Sequence, residues 1–413
     1  MADIRPFRAY RPAPGLEGKI AALPYDVYNR EEACVVVKEN PYSFLAIDRA
    51  ETQFGPEVDT YAPEVYAKAR QMLDAQIEEG RFVQEETPCY YLYEQTMNGR
   101  KQTGIVACAS IDDYCNNVIK KHENTRADKE LDRINHVDIC NMQTGPIFLA
   151  YRSEKALSEL TRQVKGAAPV YDFVSEDGIG HRVWIIAKTE EIQLIQESFA
   201  RIPAIYIADG HHRCASAVKV GQKRRQAHPD YIGNEEYNYF LSVLFPDEEL
   251  HIMDYNRVVK DLNGFTEGEF LQTVTSAFTV EKVGKEPFEP KKKGEFGMFL
   301  EEEWYCLTAK EHIKSEDAVE GLDVSILQNH LLAPILGIQD PKTDKRIDFV
   351  GGIRGLKELE RRVHTDMKLA FSMYPTSIGE LFAVADASRL MPPKSTWFEP
   401  KLRSGLFLHK LDE

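Results

Sequence analysis

The chain has 413 residues, 43% of them hydrophobic and 10% aromatic, enough for two or three folded domains rather than one small core. A formal charge of −15 repels a polyanion and excludes a general nucleic-acid-coating surface. No apolar run reaches the roughly 20 residues of a membrane span, and Met1-Ala2-Asp3-Ile4-Arg5-Pro6 lacks the apolar core of a signal peptide, so a cytoplasmic protein with neither membrane nor nucleic acid as partner is expected.

Residues 1–50 read as loop-rich, with Pro12, Pro14, Pro24 and Pro41. A helix is expected from Pro63 to Gln84, because Tyr66, Ala69, Leu73 and Ile77 share one stripe and Gly80 offers a stop. A hairpin follows, with Cys89–Tyr93 and Gln102–Ala107 as strands around the favoured turn Asn98-Gly99. The stretch from Asp112 to Gly145 is strongly charged. If helical from Thr125, it offers the spaced pairs Arg126 with Glu130 and Glu130 with Arg133, the pattern of an ordinary solvated helix. Strands are expected at Pro146–Ala150 and Trp184–Ile186, then a helical stripe of Ile192, Ile195 and Phe199, then a strand at Ile202–Ala208. This alternation implies an α/β core over about 85–260, flanked by an N-terminal segment (1–84) and a C-terminal α/β domain (261–413).

Beyond the core, Thr266-Glu267-Gly268-Glu269 is a capping box opening a helix through Phe278, and Phe296–Leu300 with Trp304–Leu307 reads as a hairpin. Phe349-Val350-Gly351-Gly352-Ile353-Arg354-Gly355 joins a strand to a helix. It matches no phosphate-binding fingerprint, and a tight packed turn explains it better than an anion nest. The seven cysteines are scattered without a C-x-x-C pair, so neither a disulfide framework nor a thiolate zinc site is indicated. Cys214 reads as a small buried residue, with a reactive thiol as the alternative.

The densest chemistry lies at Asp209-Gly210-His211-His212-Arg213, between an apolar strand and a helix expected to start at Cys214. A strand, a glycine turn and a helix N-terminus deliver an acid, two imidazoles and a guanidinium where unpaired N–H groups attract anions. The competing reading is a surface turn whose histidines only cap and solvate. A second constellation, Lys121-His122-Glu123-Asn124-Thr125-Arg126, puts a carboxylate beside Lys121, Thr125 and Arg126, groups suited to an anion. The tail loop Pro392–Gly405 carries Lys394, Ser395, Thr396, Lys401 and Arg403, donors for a phosphate or carboxylate, though a clamp on the chain terminus fits equally.

The segments Lys121–Arg126, Gln143-Thr144-Gly145-Pro146, Ile207–Arg213 and Met391–Leu406 together resemble the bacterial domain-of-unknown-function family 1015, over nearly the whole chain. Asp209–Arg213 is also similar to the Asp-Gly-His-His-Arg signature of free-serine kinases in the ParB/sulfiredoxin superfamily. Sulfiredoxins have Gly-Cys-His-Arg where this chain has Gly210-His211-His212-Arg213, which argues against sulfinate reduction. The helix-turn-helix that follows the nucleotide domain in ParB has no equivalent here.

The resemblance implies a mixed α/β (α+β) fold with a central ParB/sulfiredoxin-like nucleotide- or phosphate-binding core and added N- and C-terminal α/β segments. It further implies transfer of a phosphoryl group, from pyrophosphate, ADP or ATP, to free L-serine. Pyrophosphate is the expected donor, because no adenine-binding fingerprint is recognisable. Glu123 and Asp209 would be catalytic, and Asp209 would hold Mg²⁺. Lys121, Thr125, Arg126, Gly210, His211, His212 and Arg213 would bind phosphate, and Lys394, Ser395, Thr396, Lys401 and Arg403 the substrate. A metal-dependent hydrolase using His122, Glu123, Asp209, His211 and His212 stays open, as does a non-catalytic nucleotide-binding regulator.

Overall fold

The structure, a computed structural model, describes residues 1–125 and 127–412, and at Asp128 the backbone alone. The chain divides into two compact units, Met1–Leu250 with Pro400–Glu413, and His251–Glu399. The sequence reading cuts at 84 and 260 and leaves the tail in the C-terminal domain, whereas in the structure the tail returns to the first unit. There His409–Lys410 pairs antiparallel with Met142–Gln143, and Leu408 bridges Tyr10. A two-residue pairing has no periodicity to betray it in sequence.

The first unit contains, in chain order, β1 (Ile4–Arg5), α1 (Arg30–Glu39), α2 (Leu45–Asp48), α3 (Pro63–Glu78), β2 (Tyr90–Met97), β3 (Arg100–Ser110), β4 (Ile119–Lys120), α4 (Ala127–Cys140), β5 (Ile147–Tyr151), α5 (Lys155–Val164), β6 (Tyr171–Val174), β7 (Gly180–Ile186), α6 (Thr189–Phe199), β8 (Ile205–Asp209), α7 (His211–Ala227) and β9 (Tyr239–Pro246). Its N-terminal part is less loop-like than expected. Asn29 and Glu32 form a reciprocal capping box that opens α1. Pro63 takes the first position of α3, where a missing N–H costs nothing. That helix stops short of Gly80, whose φ of 73° no helical residue shares, so Phe82–Gln84 is a short strand instead of the helix end expected from sequence. These elements bury Phe44, Leu45, Val65 and Leu73 around Leu408 of the tail.

The nine-stranded sheet runs β4-β8-β5-β9-β3-β2-β7-β6, with β1 beside β3. The hairpin β2–β3 turns at Asn98 and Gly99, both at positive φ, as read from the sequence. Among the described residues, only β4–β8 and β5–β9 are parallel pairs. The fold is mixed α/β, with the main core formed where Leu157, Leu160, Ile195 and Phe199 of the helices pack on Leu149, Ile205 and Ile207 of the strands.

The second unit holds β10 (Tyr255–Val259), α8 (Glu267–Val274), β11 (Phe278–Gly284), β12 (Glu295–Leu300), β13 (Glu303–Ala309), β14 (Ile347–Gly351), α9 (Leu356–Thr365), β15 (Leu369–Met373) and α10 (Ile378–Asp386). Its antiparallel sheet has the order β11-β13-β12-β15-β10-β14. The Thr266–Glu269 capping box is formed, but α8 ends at Val274 and Phe278 opens β11.

Candidate phosphate-binding site

The site begins where β8 ends. Ile205 and Ile207 are fully buried and fix the strand, which stops at the half-buried Asp209. Gly210 then turns the chain at φ 91°, ψ 32°, a left-handed conformation open to glycine without cost. A Cβ there would lie 3.1 Å from Arg213 Nε. Helix α7 starts at His211, three positions before the expected start, and no side chain caps it. Its first internal bond runs from Cys214 N to Gly210 O (2.9 Å), which leaves the His211, His212 and Arg213 amides without intrahelical acceptors at the positive end of the helix dipole.

Charges converge on the elbow. Asp209 Oδ1 accepts from Gly210 N at 2.9 Å, and its Oδ2 accepts from Lys401 Nζ at 3.3 Å with Arg213 Nη2 at 3.9 Å. Against the upward push of burial, Lys401 and Arg213 hold this carboxyl below the usual carboxylate range, so it is ionised at neutral pH. Arg213 Nη1 donates to Pro146 O at 2.6 Å, which brings the Gln143–Pro146 segment to the elbow.

Behind the helix start two imidazoles meet edge to face, His122 and His211, with ring centroids 4.5 Å apart at 88°. Both are buried. Burial pushes His122 down to about 4, and burial together with the neighbouring His122 pushes His211 well below the ordinary value, so both rings are neutral at pH 7. Among the described residues, neither ring nitrogen of His122 nor Nε2 of His211 makes a hydrogen bond of normal geometry, although His122 faces the backbone of Ile207. An unmet buried polar atom costs roughly 1–3 kcal/mol, a cost that a bound ligand removes. His211 Nδ1 stands 3.8 Å from Glu123 Oε2, too long for a direct hydrogen bond.

Other expected residues are dispersed. Thr125 Oγ1 donates to Glu130 Oε2 at 2.7 Å and so belongs to the start of α4. Lys121 is exposed, its Nζ 6.0 Å from the Tyr114 ring centre. His212 is half-buried on the first turn of α7, and Arg126 lies outside the described residues. Lys401 reaches the elbow, while Arg403 is bonded to Asp177, to Ser175 Oγ (3.1 Å) and to His181 Nε2 (3.4 Å). Lys394, Ser395 and Thr396 belong to the second unit, where Lys394 Nζ lies 5.4 Å from the Tyr255 ring centre and Ser395 O accepts from Thr376 Oγ1. Cys214 is buried and its thiol pushed far up by desolvation, which removes the reactive-thiol alternative.

Two sequence expectations are corrected here. Helix α4 is not a solvated face: Glu130, Asp132, Arg133 and His136 are buried. Glu130 binds Lys219 instead of Arg133, and Arg133 donates to Asp132 at 2.9 Å while stacking 3.9 Å over Tyr25. Among the described residues no group of three or more His, Cys, Asp or Glu side chains can hold a metal ion, so His122, Glu123, Asp209, His211 and His212 do not form a hydrolase cage. Tyr25 and Asp48, which no sequence motif marks, line the same space as Gly145 and Arg213. Asp48 accepts from Thr144 Oγ1 at 2.8 Å, and only that motif threonine hinted at it.

The chain matches the family described as "Protein of unknown function (DUF1015)" over residues 4–325 and belongs to it. No curated protein matches. Among solved structures, the chain is similar to a free serine kinase variant in complex with AMP, at 14% identity over 74% of this chain and 92% of that one, TM-score 0.36. It is also similar to a conserved hypothetical protein from Pyrococcus furiosus, at 14% identity over 74% and 94%, TM-score 0.34. A third is C-terminally truncated SbnI from Staphylococcus aureus, at 10% identity over 71% and 82%, TM-score 0.36. No helix of the described residues is long and apolar enough to cross a membrane.

Proposed function

We propose that this protein is a phosphotransferase that moves a phosphoryl group from pyrophosphate to the hydroxyl of free L-serine. In this reading the first unit is a ParB/sulfiredoxin-like phosphate-binding core. The observation that carries the proposal is the uncapped start of α7, whose first amides have no intrahelical acceptor, with an ionised Asp209 and the buried neutral imidazoles of His122 and His211 at one elbow. Phosphoryl transfer needs charge neutralisation and positioning more than covalent chemistry, and helix amides with Arg213 offer both.

The donor's terminal phosphoryl group sits against the amides at the start of α7, with Lys121, which acts electrostatically on His211, supplying further cationic charge. Glu123 takes the serine hydroxyl proton as the Oγ–P bond forms, while the bridging P–O bond of pyrophosphate breaks and its electron pair leaves with orthophosphate. His211, beside Glu123, orients that carboxylate. Asp209, ionised, would be the residue to hold Mg²⁺, which would supply charge neutralisation to the phosphoryl groups.

The test is incubation with L-serine, Mg²⁺ and each of pyrophosphate, ADP and ATP, with phosphoserine detected by mass. A tenfold preference for a nucleotide, about 1.4 kcal/mol in barrier, changes the donor but not the reaction. No product with any donor rejects the proposal.

A further inference from the structure

A second polar cavity of about 280 Å³ lies in the first unit, walled by α2, α3, α4 and the loops that precede α1 and α3. None of its residues takes part in the transfer chemistry above. Two of its acids are already neutralised: Asp132 by Arg133 at 2.9 Å and Glu51 by Arg49 at 2.5 Å. Asp48 is different. It is 4% exposed, and among the described residues its only ion-pair neighbour is His136, 3.9 Å away. That imidazole is kept neutral by burial and by Arg133, so it brings Asp48 no countercharge.

Folding stability does not account for this wall. Helix α4 turns Asp132, Arg133 and His136 inward and leaves Leu131 and Ile139 58% and 40% exposed. Burying ions while exposing aliphatic side chains forfeits hydrophobic stabilisation and adds a desolvation cost. Such an inversion of the usual pattern marks a functional surface. The cavity also adjoins the elbow: a narrow extension shares Tyr25, Asp48, Arg133 and His136 and is closed by Gly145 and Arg213. Its volume falls just below the roughly 300–1,000 Å³ of drug-sized pockets, which suits a small polar molecule and not a nucleotide.

We propose that this cavity binds a small free α-amino acid as its zwitterion, Asp48 receiving the ammonium group and Arg133, stacked on Tyr25, the carboxylate. A buried carboxylate that accepts from Thr144 Oγ1 and, among the described residues, has only a neutral imidazole within ion-pair distance, together with a planar guanidinium, is complementary to the two ends of that ligand. The inference rests on the phosphotransferase reading only for the claim that the side chain of the amino acid points toward Arg213.

Calorimetric titration of the full chain with L-serine, without any donor, tests the site. L-serine binds, whereas ethanolamine, which lacks the carboxylate, and glycerate, which lacks the ammonium group, each bind about tenfold or more weakly. Asp48→Asn lowers L-serine affinity to a similar extent and leaves pyrophosphate affinity unchanged. Thr60→Trp, at the cavity wall but outside its ion pairs, fills the space and has the same effect, which keeps the test valid should Asp48→Asn fail to fold. Absent L-serine binding, equal binding of either analogue, or L-serine affinity unchanged in both variants overturns the inference. L-serine binding without phosphoserine from any donor rejects the transferase reading and keeps the cavity. Phosphoserine formed with an unchanged KM for serine in both variants does the reverse.

Discussion

The protein contains two strand–glycine–helix elbows, one in each unit, and in both the helix follows a glycine at positive φ with no side-chain cap. They differ in what surrounds the turn. At Asp209-Gly210-His211 charged side chains and two imidazoles gather round the helix start. At Gly351–Gly355 the turn is packed instead: Gly352 N donates to Asp254 O at 2.8 Å, and a Cβ on Gly351 would come within 2.9 Å of the Trp397 ring. Glycine there permits close packing, whereas Gly210 serves a left-handed turn that presents a helix end. The presence of glycine before a helix is therefore uninformative until the neighbours of its amides are known.

Several measurements would break or sharpen that contrast. The largest effect is expected for Glu123→Gln, which keeps shape but removes the proton acceptor. Phosphoserine formation falls about 10²- to 10⁴-fold while pyrophosphate affinity is retained. An unchanged turnover number would take Glu123 out of the mechanism.

Next is the pH dependence of the histidine pair, which only the first elbow has. His122 is held at about 4 by burial, against 6.5 in the unfolded chain. As pH falls below 6.5 the unfolded state binds the proton first, so stability drops between pH 6.5 and 4 and is flat above. From pH 8 to pH 5 this histidine alone accounts for about 2 kcal/mol. Urea denaturation at stepped pH reads the loss, and His122→Phe should reduce it, leaving the share of His211.

Arg213→Ala should weaken pyrophosphate binding about tenfold, and Arg213→Lys should not restore it, because an ammonium cannot replace a guanidinium that donates to Pro146 O and also faces Asp209. Full affinity of the lysine variant in calorimetry would reduce Arg213 to a point charge.

The smallest effects concern the glycines. Gly210→Ala and Gly355→Ala both place a side chain at positive φ, at a cost on the order of 1–3 kcal/mol each in thermal unfolding. Only the first should also weaken the donor, since its Cβ crowds Arg213, whereas nothing lies within 4 Å of a Cβ at Gly355. Equal effects on pyrophosphate would erase the distinction between the elbows.

Much of the elbow was legible because its signals are local: a buried apolar strand, a glycine and a run of ionisable residues in sequence order. The helix start was misread by three residues because the N-cap is glycine, with no side-chain oxygen to announce it. The capping box Asn29-x-x-Glu32 was a readable signal that the prolines around it obscured. The sheet order was not readable, since pairs such as β9 with β3 and β7 with β2 join segments far apart in the chain. The charged stretch from Asp112 to Gly145 misled for a different reason: charge normally means exposure, and α4 buries its charge. Only the odd placement of Leu131 and Ile139 hinted at the reversal.

The return of the tail has a consequence for synthesis. The residues that make the elbow are translated by position 213, yet Lys401, which neutralises Asp209, and Leu408, which seals the helical core, emerge only after the whole second unit. A nascent or clipped chain ending before Pro400 carries the recognisable motif without one of the two cations that face Asp209, keeping Arg213 alone. Completion of the polypeptide thus acts as the final step in assembling the site.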